Sequence, residues 1–416
     1  MSVAVDRPSL ALDVRGDFPI LARRIDGRPL VYLDSANTSQ KPRQVIAAID
    51  AHYAEHNANI HRAVYTLAHE ATEAFEGARE RIAAFTGATV EGTIFTKNAT
   101  EAINLVAYAW GRANVGPGDA VLITEMEHHS NLVPWQVLCA ERGAELRYLT
   151  VSPEDGTLSL DQLDAELAAG DVRVVAFAHV SNVLGTINPV AEMCARVRAA
   201  GAVALVDGAQ AVPQMPVDFG ALGADFYAWT GHKALGPTGI GVLHGRPELL
   251  EAMPPFLTGG DMIGSVSRDM TTWNELPWKF EAGTSVIAQA VGLGAAIDYL
   301  SSLGMTSVRA HELALSTYAL DRLATVPGLR ILGPATAADR GGVISFAVDG
   351  IHPHDVAELL NRDNVCVRAG HHCAQVLMGC LGVGATARVS FGPYNGAEDV
   401  DALVASLSRA REVFGL

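Results

Sequence analysis

The sequence predicts an α/β fold in which a large, mostly parallel sheet carries helices on both faces and a smaller α+β domain follows. From about residue 90, short β-rich runs alternate with amphipathic helical stretches, the pattern of successive βαβ units. The strand candidates are continuous apolar runs, as strands buried on both faces are. After about residue 285 the texture turns helical with short strand-like runs between, which marks a second, smaller unit. At 416 residues the chain exceeds what one compact core usually holds. The expected division is a large domain at 25–290 and a small one made of 1–24 and 291–416.

Taken in order, 50–56 closes a helix, and Phe75, Ala78, Ile82 and Phe85 keep helical spacing, which makes these aromatics core residues. Residues 93–96 read as a strand, and Asn98 caps a helix running toward Trp110. Residues 120–124 form a strand, 131–141 a helix and 172–178 a strand. Pro189 opens a helix that ends near Gly201. Strands at 202–206, 225–229 and 239–243 follow. The smaller unit begins with a long helix at 286–303 and a helical stretch through Leu323. Strands at 343–348 and 365–368 flank a helix at 354–360, and a helix at 398–413 closes the chain.

Composition narrows the function. Hydrophobic residues make up 49% and charged residues 18%, which excludes general disorder. The net charge is −16 and no Lys/Arg-rich run occurs, so nucleic acid is not the expected ligand. The start, Met1-Ser2-Val3-Ala4-Val5-Asp6-Arg7-Pro8, has no signal-type apolar core, and no apolar run is long enough to span a bilayer. A cytoplasmic protein is expected. The five cysteines are an odd number, against a disulfide framework. Cys139 and Cys194 sit in helical patterns, and Cys366 alternates with Val365 and Val367; all three read as core.

In open α/β sheets ligands bind beyond the carboxyl ends of the strands, so polar groups just after apolar runs are the candidates. In Trp229-Thr230-Gly231-His232-Lys233 a lysine follows an apolar strand and stands among glycines. Lysines are usually solvated surface residues, but this placement suits a Schiff-base lysine beside a flat ring. Asp207 ends the preceding strand run. It can be a turn former, or it can pair with a protonated pyridine nitrogen and keep the ring an electron sink. Gln210 can bond a ring hydroxyl. Asn98-Ala99-Thr100-Glu101 opens a helix, where phosphate is favoured. Glu127-His128-His129-Ser130-Asn131 and His179-Val180-Ser181-Asn182 end other strands.

In the smaller unit, Arg368-Ala369-Gly370-His371-His372-Cys373-Ala374 puts a thiol near an arginine and two imidazoles, surroundings that favour a nucleophilic thiolate. A buried apolar cysteine and a metal site with Cys380 are the competing readings; the spacing lacks the paired pattern of metal ligands.

These stretches, with Tyr32-Leu33-Asp34-Ser35-Ala36 and Phe280-Glu281-Ala282-Gly283-Thr284, resemble class V, fold-type I pyridoxal 5′-phosphate (PLP) enzymes. More narrowly they are similar to SufS-type (group II) cysteine desulfurases, from about residue 15 to the C-terminus. The resemblance implies a seven-stranded, mostly parallel sheet and a homodimer. Lys233 would hold the cofactor covalently, His128 would stack on its ring, and Asp207 and Gln210 would contact the pyridine nitrogen and phenolic oxygen. Thr100, Thr230 and His232 would bind the phosphate, with Thr284 reaching across from a second subunit. Asn182, Arg368 and Arg388 would hold the substrate carboxylate. The implied reaction converts L-cysteine to L-alanine and leaves a persulfide on Cys373, for a SufE- or SufU-type acceptor and Fe–S cluster assembly.

A selenocysteine lyase or other C–S lyase is the alternative on this scaffold, and a non-catalytic PLP-binding protein a third. The chain departs from the family pattern at Asn37-Thr38, where small residues are expected, at Ala369, and at Val389, Gly392, Pro393 and Gly396. The 59–65 stretch also lacks the usual glycine and second histidine. No catalytic group is lost; the departures bear on substrate preference and acceptor choice.

Overall fold

Seven strands build the central sheet: β1 (Thr93–Thr96), β2 (Ala120–Thr124), β3 (Glu145–Leu149), β4 (Val172–Ala178), β5 (Val203–Asp207), β6 (Phe226–Thr230) and β7 (Gly241–Gly245). Their order is β1-β7-β6-β5-β4-β2-β3. The β7 strand runs antiparallel to both neighbours, and every other pair is parallel. The reversal follows from chain length: the turn from Thr230 to Gly241 is shorter than the crossover of about a dozen or more residues that a parallel return needs. The computed structural model describes residues 7–416. Residues 1–6, on which the expectation of no signal segment and part of the 1–24 segment fall, lie outside the described residues.

All residues of β2, β6 and β7 are buried, which is why they read as unbroken apolar runs. One sheet face, with Val175, Phe177, Val206 and Trp229, packs on Phe75 and Ile82 of α2 (Thr66–Thr86) and on Leu293 and Ile297 of α6 (Ile287–Leu303). The other face, with Val174, Ala176, Leu205 and Ala228, packs on Ile103 of α3 (Ala99–Leu105) and on Trp135 and Leu138 of α4 (Val133–Arg142). Strand β3 does not stand out in the sequence because it is a sheet edge carrying Glu145 and Arg147, and charges are common on edges.

The second sheet is antiparallel, with order β8-β9-β11-β10, where β8 is Leu329–Leu332, β9 Val343–Val348, β10 Arg368–Gly370 and β11 Thr386–Ser390. It packs on α7 (Met305–Ala324), α8 (Pro353–Asn361) and α9 (Ala397–Val413). The single strand expected at 365–368 is two. Val365–Cys366 pairs in parallel with Val31–Tyr32, and Arg368 turns into the second sheet beside Arg388. The helix expected from Asn98 toward Trp110 is α3 continued by a π-helical segment, Val106–Gly111. Among the described residues no helix is long and apolar enough to cross a membrane.

Candidate active site

A cavity of about 220 Å³ opens beyond the carboxyl ends of the central strands. From β6 come Thr230, His232 and Lys233; from β5, Asp207 and Gln210; from β4, Asn182; from the turn after β2, His128; and from α3, Thr100. The second sheet contributes Arg368, Arg388 and Cys373. Lysine and cysteine, far apart in sequence, therefore line one space. Thr284 does not. It lines a separate cleft of about 390 Å³ with Lys97, Glu101 and Gln289, behind Glu281, whose carboxylate takes two bonds from buried Arg79 at 2.6 and 2.9 Å.

The turns explain the placement. Lys233 ends a short 3₁₀ turn, Gly231–Lys233, directly after β6. The His232 carbonyl of that turn accepts from Ser39 N at 3.1 Å and Lys41 Nζ at 2.8 Å, which fixes the backbone under the lysine. Burial lowers the Lys41 ammonium to about 7. Asn98 caps α3, its Oδ1 accepting from Glu101 N at 3.0 Å. A Cβ on Gly241 would fall 2.5 Å from Asn98 Cα, so this glycine lets the start of α3 rest on β7.

Burial dominates the electrostatics. It lowers the Lys233 amine to about 8, with Asp207 opposing the shift and Arg388 and Arg368 adding to it. Burial also raises the Asp207 carboxyl, opposed by Lys233, so on both partners desolvation outweighs mutual attraction. His128 is pushed down to about 3 by burial and by Lys233. Its Nδ1 accepts Ser130 N–H at 3.1 Å, so the neutral ring carries its proton on Nε2. Glu127, to which the sequence pattern assigns no role, is buried and holds the His128 turn to the sheet. It accepts from Thr124 Oγ1 at 2.5 Å, Asn131 Nδ2 at 2.6 Å and Ala178 N at 3.0 Å, and burial raises it to about 8. Its position directly before a histidine at a strand end was the available signal.

The cysteine loop is strained and pinned. His372 and Cys373 have φ of 53° and 58°, left-handed values that cost about 1–2 kcal/mol per non-glycine residue. Asn182 Nδ2 donates to the His372 carbonyl at 2.7 Å, and His129 N donates to the Cys373 carbonyl at 2.7 Å. These charge-free anchors come from the large sheet's loops and hold the sulfur over the cavity. Of the three groups expected near the thiol, only Arg368 makes a hydrogen bond to it, with Nη2 at 3.5 Å from Sγ. His372 turns its ring to Thr386 Oγ1 at 2.8 Å, and His371 is exposed. Among the described residues no group of three or more His, Cys, Asp or Glu is placed to hold a metal.

Two buried atoms at the cavity, Gln210 Oε1 and Thr230 Oγ1, have no hydrogen-bond partner among the described residues. Buried polar atoms are rarely left so. A flat ring bearing a hydroxyl and a phosphate would supply both partners, and Asp207 and Lys233, which line the same cavity, could then hold a ring nitrogen and an aldehyde. The residues fit that group. If Lys233 is the attachment point, cofactor-free protein loads it faster as pH rises, because only the neutral amine attacks. The loading rate followed by visible absorbance climbs up to about tenfold per unit below pH 8 and levels above it; a flat profile from pH 6 to 9 contradicts this.

Fold and site together define an α/β enzyme in which a lysine, a carboxylate and a thiol line one cavity. The aminotransferase class-V family model matches residues 31–403, and the chain belongs to that family. It is 50% identical over 406 residues to a probable cysteine desulfurase of Halalkalibacterium halodurans, covering 97% of this chain and 99% of that protein. It is 48% identical over 415 residues to a cysteine desulfurase of Haloferax volcanii, covering 96% and 97%. Among solved structures, it superposes on the cysteine desulfurase of Thermococcus onnurineus with a TM-score of 0.92 at 38% identity, covering 99% and 100%. For the Escherichia coli cysteine desulfurase CsdA the TM-score is 0.88 at 39% identity, covering 96% and 98%.

Proposed function

We propose that this protein is a PLP-dependent cysteine desulfurase that converts L-cysteine to L-alanine and carries the sulfur away as a persulfide on Cys373. The observation that carries the reading is Lys233 and Cys373 lining one cavity, in a chain about half identical to cysteine desulfurases over nearly its whole length.

Thr100, Thr230 and His232 hold the phosphate end, Asp207 and Gln210 the ring edge, and His128 the ring face. Bound there, the cofactor supplies an electron sink for negative charge on the substrate carbon. Lys233 moves the proton at Cα, and a buried amine near 8 is suited to give and take it near neutral pH. Arg388, fully buried, with Asn182 and Arg368, orients the carboxylate. Cys373 Sγ attacks the substrate sulfur: an S–S bond forms, the C–S bond breaks, and its electron pair stays on carbon, where protonation completes alanine.

The thiol also lines an outer groove of about 340 Å³ with Tyr108, Val133 and Val137, which supports transfer to an incoming SufE- or SufU-type acceptor and a role in Fe–S cluster assembly. Thr284, outside its own chain's cavity, supports a homodimer in which it serves the partner's phosphate. We place the protein in the cytoplasm, with the PLP-binding unit at 25–290 and the cysteine-bearing unit at 1–24 and 291–416, joined where Val31–Tyr32 pairs with Val365–Cys366. The test is product analysis with cysteine and a reductant. Alanine and sulfide in equal amounts are expected; pyruvate and ammonia would mark a different lyase.

A further inference from the structure

The side chains around the cavity close into a hydrogen-bonded ring. Arg368 reaches Cys373 Sγ through Nη2 at 3.5 Å and donates through Nη1 to Asn37 Oδ1 at 3.1 Å. Asn37 Nδ2 donates to Asp34 Oδ2 at 3.1 Å, and Asp34 Oδ1 accepts from Arg388 Nη2 at 3.3 Å. Arg388 Nη1 donates to the Asn182 carbonyl at 2.9 Å, and Asn182 Nδ2 donates to the His372 carbonyl, one residue from the starting sulfur.

We propose that Asn37 is a positioning residue that holds the Arg368 guanidinium against the Cys373 sulfur. A side chain placed between a cation and a carboxylate has to accept at one end and donate at the other, which a carboxamide does. Alanine there leaves Arg368 facing Asp34 with nothing between them. The arginine then moves toward that carboxylate and off the sulfur, which loses the cation bonded to it. Aspartate at 37 keeps an acceptor for Arg368 but adds negative charge beside it and repels Asp34. Asn37 is exposed at the cavity rim, so neither change disturbs the core.

Lys233, Arg388, His128 and Asp207 share the inner cavity with the thiol, and His129 the outer groove. None of them is altered by the substitution, so a change in thiol reactivity reports Arg368. The idea rests on the reading of Cys373 as the working thiol, but its test reads the thiol itself.

The cofactor-loaded full chain is treated with iodoacetamide, without substrate, and alkylation of the Cys373 peptide is timed by mass spectrometry at pH 7 and pH 10. At pH 7, Asn37→Ala slows alkylation about two- to fivefold, the size of one solvent-exposed ion pair, and Asn37→Asp slows it at least as much. The difference narrows at pH 10, where an ordinary thiol ionises without help. Equal or faster alkylation of Asn37→Ala at pH 7 overturns the proposal. Slowed alkylation in a chain whose wild type desulfurates no cysteine supports the ring and overturns the function instead.

Discussion

Lys233→Ala abolishes alanine formation from cysteine, with a loss of about 10³-fold or more. Among the described residues Lys233 is the one lysine that lines this cavity, which Asp207 shares. His128 cannot take over, because burial, the main cause of its lowered pKa, persists without Lys233 and its Nδ1 is already an acceptor for Ser130 N–H. The variant also loses the covalent attachment point, so its visible absorption changes along with its rate. Lost colour with retained turnover would show that another group moves the Cα proton.

Cys373→Ser costs about two orders of magnitude or more in sulfur transfer from cysteine. Serine keeps the loop's size and its left-handed backbone, but a hydroxyl is a far weaker nucleophile than a thiol and cannot carry sulfur as a persulfide. The same variant separates the two readings of the scaffold. Selenium can leave without thiolate attack, so selenocysteine turnover survives the change while cysteine turnover falls. Equal activity of wild type and variant toward cysteine would remove the persulfide step and favour a lyase.

Much of this site was legible because its groups leave buried strands. Asp207 ends, and Lys233 and Asn182 follow, strands that are almost wholly buried, and such runs stand out. Cys373 was legible for its neighbour Arg368. The flanking imidazoles do not activate the thiol as their closeness in sequence suggests, since His372 anchors the loop through Thr386. Other parts were hidden for physical reasons. Strand β3 carries edge charges, and β11 has buried Arg388 in its middle, so neither reads as apolar. Asp34 and Asn37 precede the central sheet by a long stretch of chain, and only folding of the strap at Val31–Tyr32 onto Val365–Cys366 brings them to the arginines. Asn37 marked itself only as a departure from the expected small residue.

The most direct measurement is mass spectrometry of the Cys373 peptide after brief exposure of the loaded enzyme to cysteine without reductant. One added sulfur on Cys373, absent in Lys233→Ala, is the predicted result. Alanine released while Cys373 stays unmodified, with the sulfur free or on another cysteine, would contradict the account.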